Sequence, residues 1–242
     1  MFSSSRPVAG DGSTRRVPEL TQLDDATPDI GPSTVRFSLF GQIEVRTASR
    51  RLGVSDFPSR KAKQMCQLLA AAAGRPVSKD RLIEALWGAK LPRNPSAAVD
   101  HTISVLRSVV AADDGAQPIV TERGHYRIDL AVAEIDLVRF DQLVDSSSTA
   151  IHTATLPALL EAVELAQGTV LEDEMYAPWA SMPREHYGQR VQRVLLDIAR
   201  RALVSDDPHL ALAMAQRARA ESMIVLEEGF GLCRIHQWDS KT

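Results

Sequence analysis

Between residues 34 and 130 the spacing of apolar side chains changes period twice. In VRFSLFGQIEVRT, apolar residues alternate through Val35, Phe37 and Leu39, then through Ile43 and Val45, around a Phe40-Gly41 turn. A period of two belongs to a strand with one buried face, so this stretch predicts a β-hairpin. The RRLGV that follows predicts another short strand. After Pro58 the period becomes three and four. Ala62, Met65, Cys66, Leu69 and Ala72 mark a helix near 59–73, stopped by Gly74 and Pro76. Ser78 is placed to cap a second helix, with Leu82, Ile83, Leu86 and Trp87 as its buried stripe and Gly88 at its end. Lys90 to Pro95 form a proline-bounded loop. Ser96 then caps a third helix over 97–110, whose Val99, Ile103, Leu106 and Val110 lie within a narrow arc. The period returns to two in PIVTERGHYRIDL. Here Ile119 and Val120 sit on one strand, Tyr126, Ile128 and Leu130 on the other, and Arg123-Gly124 at the turn.

Beyond Asp136 the pattern is helical throughout. Leu137, Phe140, Leu143 and Val144 begin it, and Leu156, Leu159, Leu160, Val163 and Ala166 continue it. A long helix near 179–204 buries Tyr187, Val191, Val194, Leu195, Ile198 and Ala202. LALAMAQRARA after Pro208 and the 223–237 segment predict a further helix pair. Small residues at Ala211, Ala213, Ala215 and Ala218 suit tetratricopeptide-like stacking, without a clean repeat in the sequence. Residues 1–33, rich in Ser, Pro, Gly, Asp and Thr, lack the apolar side chains that would offset their ordering entropy. The expected organisation is a disordered arm over 1–33, an α+β winged helix-turn-helix over 34–133 and an all-α tetratricopeptide-like domain over 134–242.

Composition narrows the class. With 44% hydrophobic and 24% charged residues in 242, the chain is ordinary for a two-domain globular protein. Its longest apolar runs, such as LLAAAA at 68–73, fall well short of the roughly 18 residues a membrane helix needs, and no apolar signal core follows Arg6. A cytoplasmic protein without membrane contact is expected. Only Cys66 and Cys233 are present, without metal-ligand spacing, so they read as buried reduced thiols. The six histidines cluster with no Cys, Asp or Ser, and no glycine-rich phosphate loop occurs, so neither an enzyme, a metal site nor a cofactor is expected. The net charge of −3 hides a gradient: residues 34–137 carry 15 Lys+Arg against 11 Asp+Glu, residues 138–242 only 10 against 15. Such asymmetry points the middle of the chain toward a polyanion.

The third helix is where a polyanion would be read. Opposite its apolar arc lie Ala97, His101, Ser104 and Ser108, with Asp100 and Arg107 on the flanks. Short polar side chains let a helix approach base edges in the major groove, where His101 and Ser104 can donate or accept and Arg107 can reach guanine or phosphate. Asp100 is repelled by phosphate and is expected to orient Arg107 or to cap locally. Lys79, together with Arg60, Lys61 and Lys63, supplies cations for phosphates, and Arg123 sits at a hairpin tip suited to the minor groove.

The runs LLAAAAGRPVSKDRLIEALWG, SAAVDHTISVLRSVV and IVTERGHYRIDL, followed by DLVRF, resemble the Streptomyces antibiotic regulatory protein family of transcription activators. Its members join an OmpR-type winged helix to a helical bacterial transcriptional activation domain. The resemblance spans roughly 34–237 and includes YAPWA with Arg184 at the start of the long helix. It implies binding to direct repeats in double-stranded promoter DNA by two or more protomers side by side, and recruitment of RNA polymerase. It adds Thr102 to His101, Ser104 and Arg107 on the recognition helix, assigns Arg123 and His125 to the wing, and turns the Lys90–Pro95 loop, with Lys90, Arg93 and Asn94, toward polymerase. Two departures stand out. Val105 and Ser108 replace cations common in family recognition helices, and the helical domain stops early, so it is expected to be incomplete. With only the polar arm before residue 34, control by aspartyl phosphorylation is not expected. The rival reading is a protein-interaction or ligand-sensing helical module in which DNA binding is weak or lost.

Overall fold

A computed structural model describes residues 34–149 and 155–221. The expected arm over 1–33 and the 223–237 helix lie outside the described residues. β1 (Val35–Ser38) pairs antiparallel with β2 (Glu44–Arg46), Phe37 opposite Val45, and β3 (Arg51–Leu52) adds to β2. The predicted hairpin and its third strand are therefore present, with the alternating residues Val35, Phe37, Leu39, Ile43 and Val45 buried. α1 (Arg60–Ala71), β4 (Val77–Ser78), α2 (Lys79–Trp87) and α3 (Pro95–Val110) follow. β5 (Ile119–Glu122) and β6 (His125–Ile128) form a hairpin whose two-residue turn puts Arg123 at φ 49° and Gly124 at φ 80°. Positive φ at both central positions matches the twist of the flanking strands, and Gly124 meets that demand without strain. β4 joins the open edge of β6, giving a three-stranded sheet in the order β4-β6-β5.

Two strands went unpredicted because each is too short to show a period: β4, and β7 (Ala133–Ile135), which runs parallel to β1 and completes the sheet β3-β2-β1-β7. Two further expectations are corrected. The cap of α3 is Asn94, whose Oδ1 accepts from Ala97 N at 3.1 Å, and Pro95 rather than Ser96 opens the helix. Proline serves at a first helical position because its missing N–H would have no intrahelical partner there. Leu130 lies beyond the end of β6 and is exposed, its side chain lying over Gly74. By contrast, Ser78 caps α2 as expected, accepting from Arg81 N, and Ser59 caps α1, accepting from Ala62 N.

The remainder is helical: α4 (Asp136–Thr149), α5 (Thr155–Leu165), α6 (Pro178–Val204) and α7 over residues 208–221. α5 packs between α4 and α6. Among the described residues no helix is long and apolar enough to cross a membrane. The helices do not stand apart from the winged helix. Phe40 at the end of β1 meets Phe140 of α4 and Tyr187 of α6 with ring centroids 5.5 and 6.0 Å apart, within the range of favourable aromatic pairing. Backbone bonds run from Gly41 N to Thr169 O and from Leu171 N to Leu39 O. Gly41 and Gly168 approach so closely that a Cβ on Gly168 would stand 3.2 Å from the Gly41 Cα.

Asp136 joins the two parts at β1. Its carboxylate, buried at the first residue of α4, accepts from Leu39 N at 2.6 Å, Phe40 N at 2.9 Å and Leu137 N at 2.7 Å. Desolvation outweighs those bonds and pushes the carboxyl from 3.8 up to about 6. The folded chain thus holds a proton, between about pH 4 and 6, that the unfolded chain has released. The resulting stabilisation is complete below about pH 4 and is lost as pH rises through about 6, an effect on the order of 3 kcal/mol. Urea unfolding at pH 4.5 and pH 7 is expected to show the wild type losing stability relative to Asp136→Asn across that interval. Equal pH dependence in the two chains contradicts it.

Candidate nucleic-acid interface

α3 lies across α1 and α2 with Val99, Ile103, Leu106 and Val110 fully buried. Its opposite face carries Ala97, His101, Ser104 and Ser108, all exposed. Thr102 is half-buried, its hydroxyl donating to Ala98 O at 2.8 Å, and the Ser108 hydroxyl donates to Val105 O at 2.7 Å. The surface offered outward is therefore a short-chained ridge, of a height that lets a helix backbone sit deep in a groove.

The two flanking charges have partners that the sequence did not reveal. Asp100 and Arg107 lie on the flank of α3 that faces the β5-β6 hairpin. Arg107 is half-buried, and its Nε donates to Ile119 O at 3.0 Å and its Nη2 to Thr121 Oγ1 at 2.8 Å, both on β5. Asp100 does not orient Arg107. It accepts from the Tyr126 hydroxyl at 2.5 Å and pairs with Lys79 Nζ at 2.7 Å. The hydrogen bond from Lys79, joined by that from Tyr126, holds the Asp100 carboxyl below the usual carboxylate range, while the bond to Asp100 raises Lys79. Burial and the Asp100 carboxylate push the Tyr126 phenol up. Alternation marked Tyr126 as a core residue, which its ring is, but nothing in the spacing showed where its hydroxyl would end.

Arg123 and His125 are exposed at and beside the hairpin tip, with His125 Nδ1 3.2 Å from the Arg123 carbonyl. Lys90, Arg93 and Asn94 are exposed on the loop leading into α3, around an exposed Leu91.

The cations expected at the start of α1 turn elsewhere. Lys63 is buried, ion-paired with Asp173 and, at 2.9 Å, with Glu174 from the turn before α6. Gln64 Nε2 donates to Glu174 at 2.7 Å, Gln67 Nε2 to Asp173 at 2.8 Å, and Arg60 stands 3.7 Å from Glu174. Burial alone lowers the Lys63 ammonium, but the hydrogen bonds and charges of Asp173 and Glu174 overcome it and leave its pKa raised. Lys61 donates to Leu86 O and lies 5.8 Å over the Trp87 ring. Lys63 thus holds the helical part, and Lys61 the end of α2, rather than a phosphate. Cys66 is fully buried, its thiol pushed up to about 12 by desolvation, and so is kept protonated and inert. Among the described residues no three His, Cys, Asp or Glu side chains gather as a metal would require.

An N-terminal β-sheet, three helices and a terminal hairpin with an open polar face on the third helix define a winged helix-turn-helix, followed here by a helical part. Residues 58–127 match the family described as transcriptional regulatory protein, C terminal. The regulatory protein AfsR of Streptomyces coelicolor is 29% identical over 179 residues, which cover 72% of this chain and 17% of that protein. The solved structure of Mycobacterium tuberculosis EmbR in complex with a low affinity phosphopeptide shares the fold with a TM-score of 0.65 at 18% identity, over 78% of this chain and 50% of that one. The chain thus spans a small fraction of the first relative and half of the second. The resemblance read from the motifs is borne out: residues 58–127 match a transcriptional regulatory domain, and the chain is similar to the Streptomyces regulator AfsR.

Because its guanidinium spans β5, Arg107 is assigned to fixing the hairpin on α3. Arg107→Ala is expected to lower the unfolding free energy by about 1–2 kcal/mol. Lysine should not restore it, since one ammonium cannot reproduce the two-pronged geometry. Urea titration of both variants decides, and an unchanged midpoint in Arg107→Ala contradicts the assignment.

Proposed function

We propose that this protein is a sequence-specific regulator, and an activator, that binds double-stranded promoter DNA in the cytoplasm through α3 and the β5-β6 wing. The observation that carries the reading is the asymmetry of α3: one face is fully buried on α1 and α2, and the other is a short polar ridge open to the surface. His101 and Ser104 read base edges from that ridge. Thr102 borders it, and Arg107 positions the wing. Arg123 and His125 contact the backbone or minor groove, and Lys79 with Asp100 stands at the edge nearest the wing. The exposed Lys90–Asn94 loop, with Arg93 and Leu91, lies beside the reading helix on a separate element and is the surface for RNA polymerase. Two protomers side by side on direct repeats fit the same family pattern.

With Lys63 buried between Asp173 and Glu174 and Lys61 turned to Leu86 O, two of the cations expected on phosphates are engaged within the protein, so the salt dependence of binding should be shallower than the count of basic residues implies. The test is enrichment of duplexes from a randomised pool by the full chain, then fluorescence-anisotropy titration of the enriched and a scrambled duplex at two salt concentrations. Preferential binding that weakens with salt is expected. Arg123→Ala should weaken both duplexes alike and lower the salt slope by about 0.9, the share of one phosphate contact. Failure to enrich any duplex would overturn the reading and leave α3 as a protein-facing helix.

A further inference from the structure

We propose that Asp100 sets the base preference at one position of the bound duplex by accepting a hydrogen bond from the exocyclic amine of a cytosine, with Tyr126 as the positioning residue that aims it. The inference rests on the DNA-binding reading above. Asp100 lies near the start of α3, one residue before His101 and four before Ser104, on the border between the exposed ridge and the wing. Donors from two other elements converge on its carboxylate. The Tyr126 hydroxyl, from β6, reaches Oδ1 at 2.5 Å, and Lys79 Nζ, from the first residue of α2, reaches Oδ1 at 2.7 Å and Oδ2 at 2.8 Å. Strand register builds this convergence: β4 lies beside β6 with Val77 opposite Tyr126 and Ser78 opposite His125, and Lys79 follows directly. The Asp100 side chain nevertheless remains 52% exposed. It is a carboxylate locked in place at the surface of a reading helix.

The chemistry of the groove then narrows the ligand. An ionised carboxylate only accepts, so it is repelled by the N7 and O6 of guanine and the O4 of thymine. Among the bases, cytosine and adenine present an exocyclic amine there. Adenine's amine stands beside its N7 acceptor, an edge that suits a side-chain amide, whereas the N4 amine of cytosine is served by an acceptor alone. Lys79 neutralises the carboxylate so that it can enter a polyanionic groove, and the Tyr126 hydroxyl fixes it in advance, which lowers the ordering cost of binding.

Enrichment from the randomised pool is run with the full wild-type chain, Asp100→Asn and Tyr126→Phe, followed by anisotropy on single-base variants of the enriched duplex. In the wild type one position should favour cytosine by about tenfold or more. Asp100→Asn, now both donor and acceptor, should move that position to adenine, while the loss of its negative charge strengthens binding to every duplex, scrambled included. Tyr126→Phe should keep cytosine but discriminate several-fold less, with the other positions unaffected, a pattern that general loss of stability does not produce. If Tyr126→Phe fails to fold, the Asp100→Asn arm decides alone. Identical preferences in wild type and Asp100→Asn, or an equal loss on every duplex, overturn the inference while leaving DNA binding intact. A wild type that enriches no duplex overturns both.

Discussion

The ammonium of Lys63, buried between Asp173 and Glu174, is the contact on which the arrangement of this molecule turns. Removing one ammonium and two carboxylates from water is costly, and their mutual attraction repays it only when geometry and supporting hydrogen bonds are good. Gln64 and Gln67 supply those bonds from the same helix, and Ile43 N adds another to Asp173 at 3.4 Å. Losing the Lys63 ammonium would leave two carboxylates buried without compensation, a loss that typically costs about 3–5 kcal/mol. Such a cluster tolerates one docking geometry and penalises displacement of the helical part from the winged helix.

The geometry matters because α1 is shared. One of its faces packs beneath α2, α3 and β6, the other meets α6 and the turn that precedes it. Asp136 and the Phe40, Phe140 and Tyr187 rings fasten the same junction from the side of β1. The reading surface is thus carried by a scaffold that includes the helical part. On the far side of α3 two struts, Arg107 to β5 and Asp100 to Tyr126, fix the wing to the reading helix. Recognition helix, wing and helical part are tied through side chains, and the charges of Lys63 and Lys79 are already met by carboxylates within the protein. That is the physical reason for expecting selectivity from shape and base edges more than from electrostatic attraction.

Much of this was legible in the spacing of apolar residues. The hairpin at Val35–Val45, the stripe of α3 and the Arg123-Gly124 turn appear where period and turn chemistry put them, since each depends on neighbours close in sequence. What was not legible depends on distant partners. Lys63 lies with Gln64 and Gln67 outside the apolar stripe of α1, where its cation is expected to serve a phosphate. All three are buried because an acidic turn more than 100 residues later covers them. Arg107 and Asp100 have the residue types of a base-reading pair, and only the fold shows that their flank faces the wing. Asn94 displaced Ser96 as the cap because Pro95 starts the helix two residues earlier than the serine implied.

Amide hydrogen exchange of the full chain, alone and bound to a duplex enriched from a random pool, tests this arrangement most directly. Slower exchange on binding is expected in peptides spanning 95–110 and 119–128, with no change across 178–204. Protection confined to the helical part, with 95–110 unaltered, would contradict a DNA-reading role for α3 and the wing.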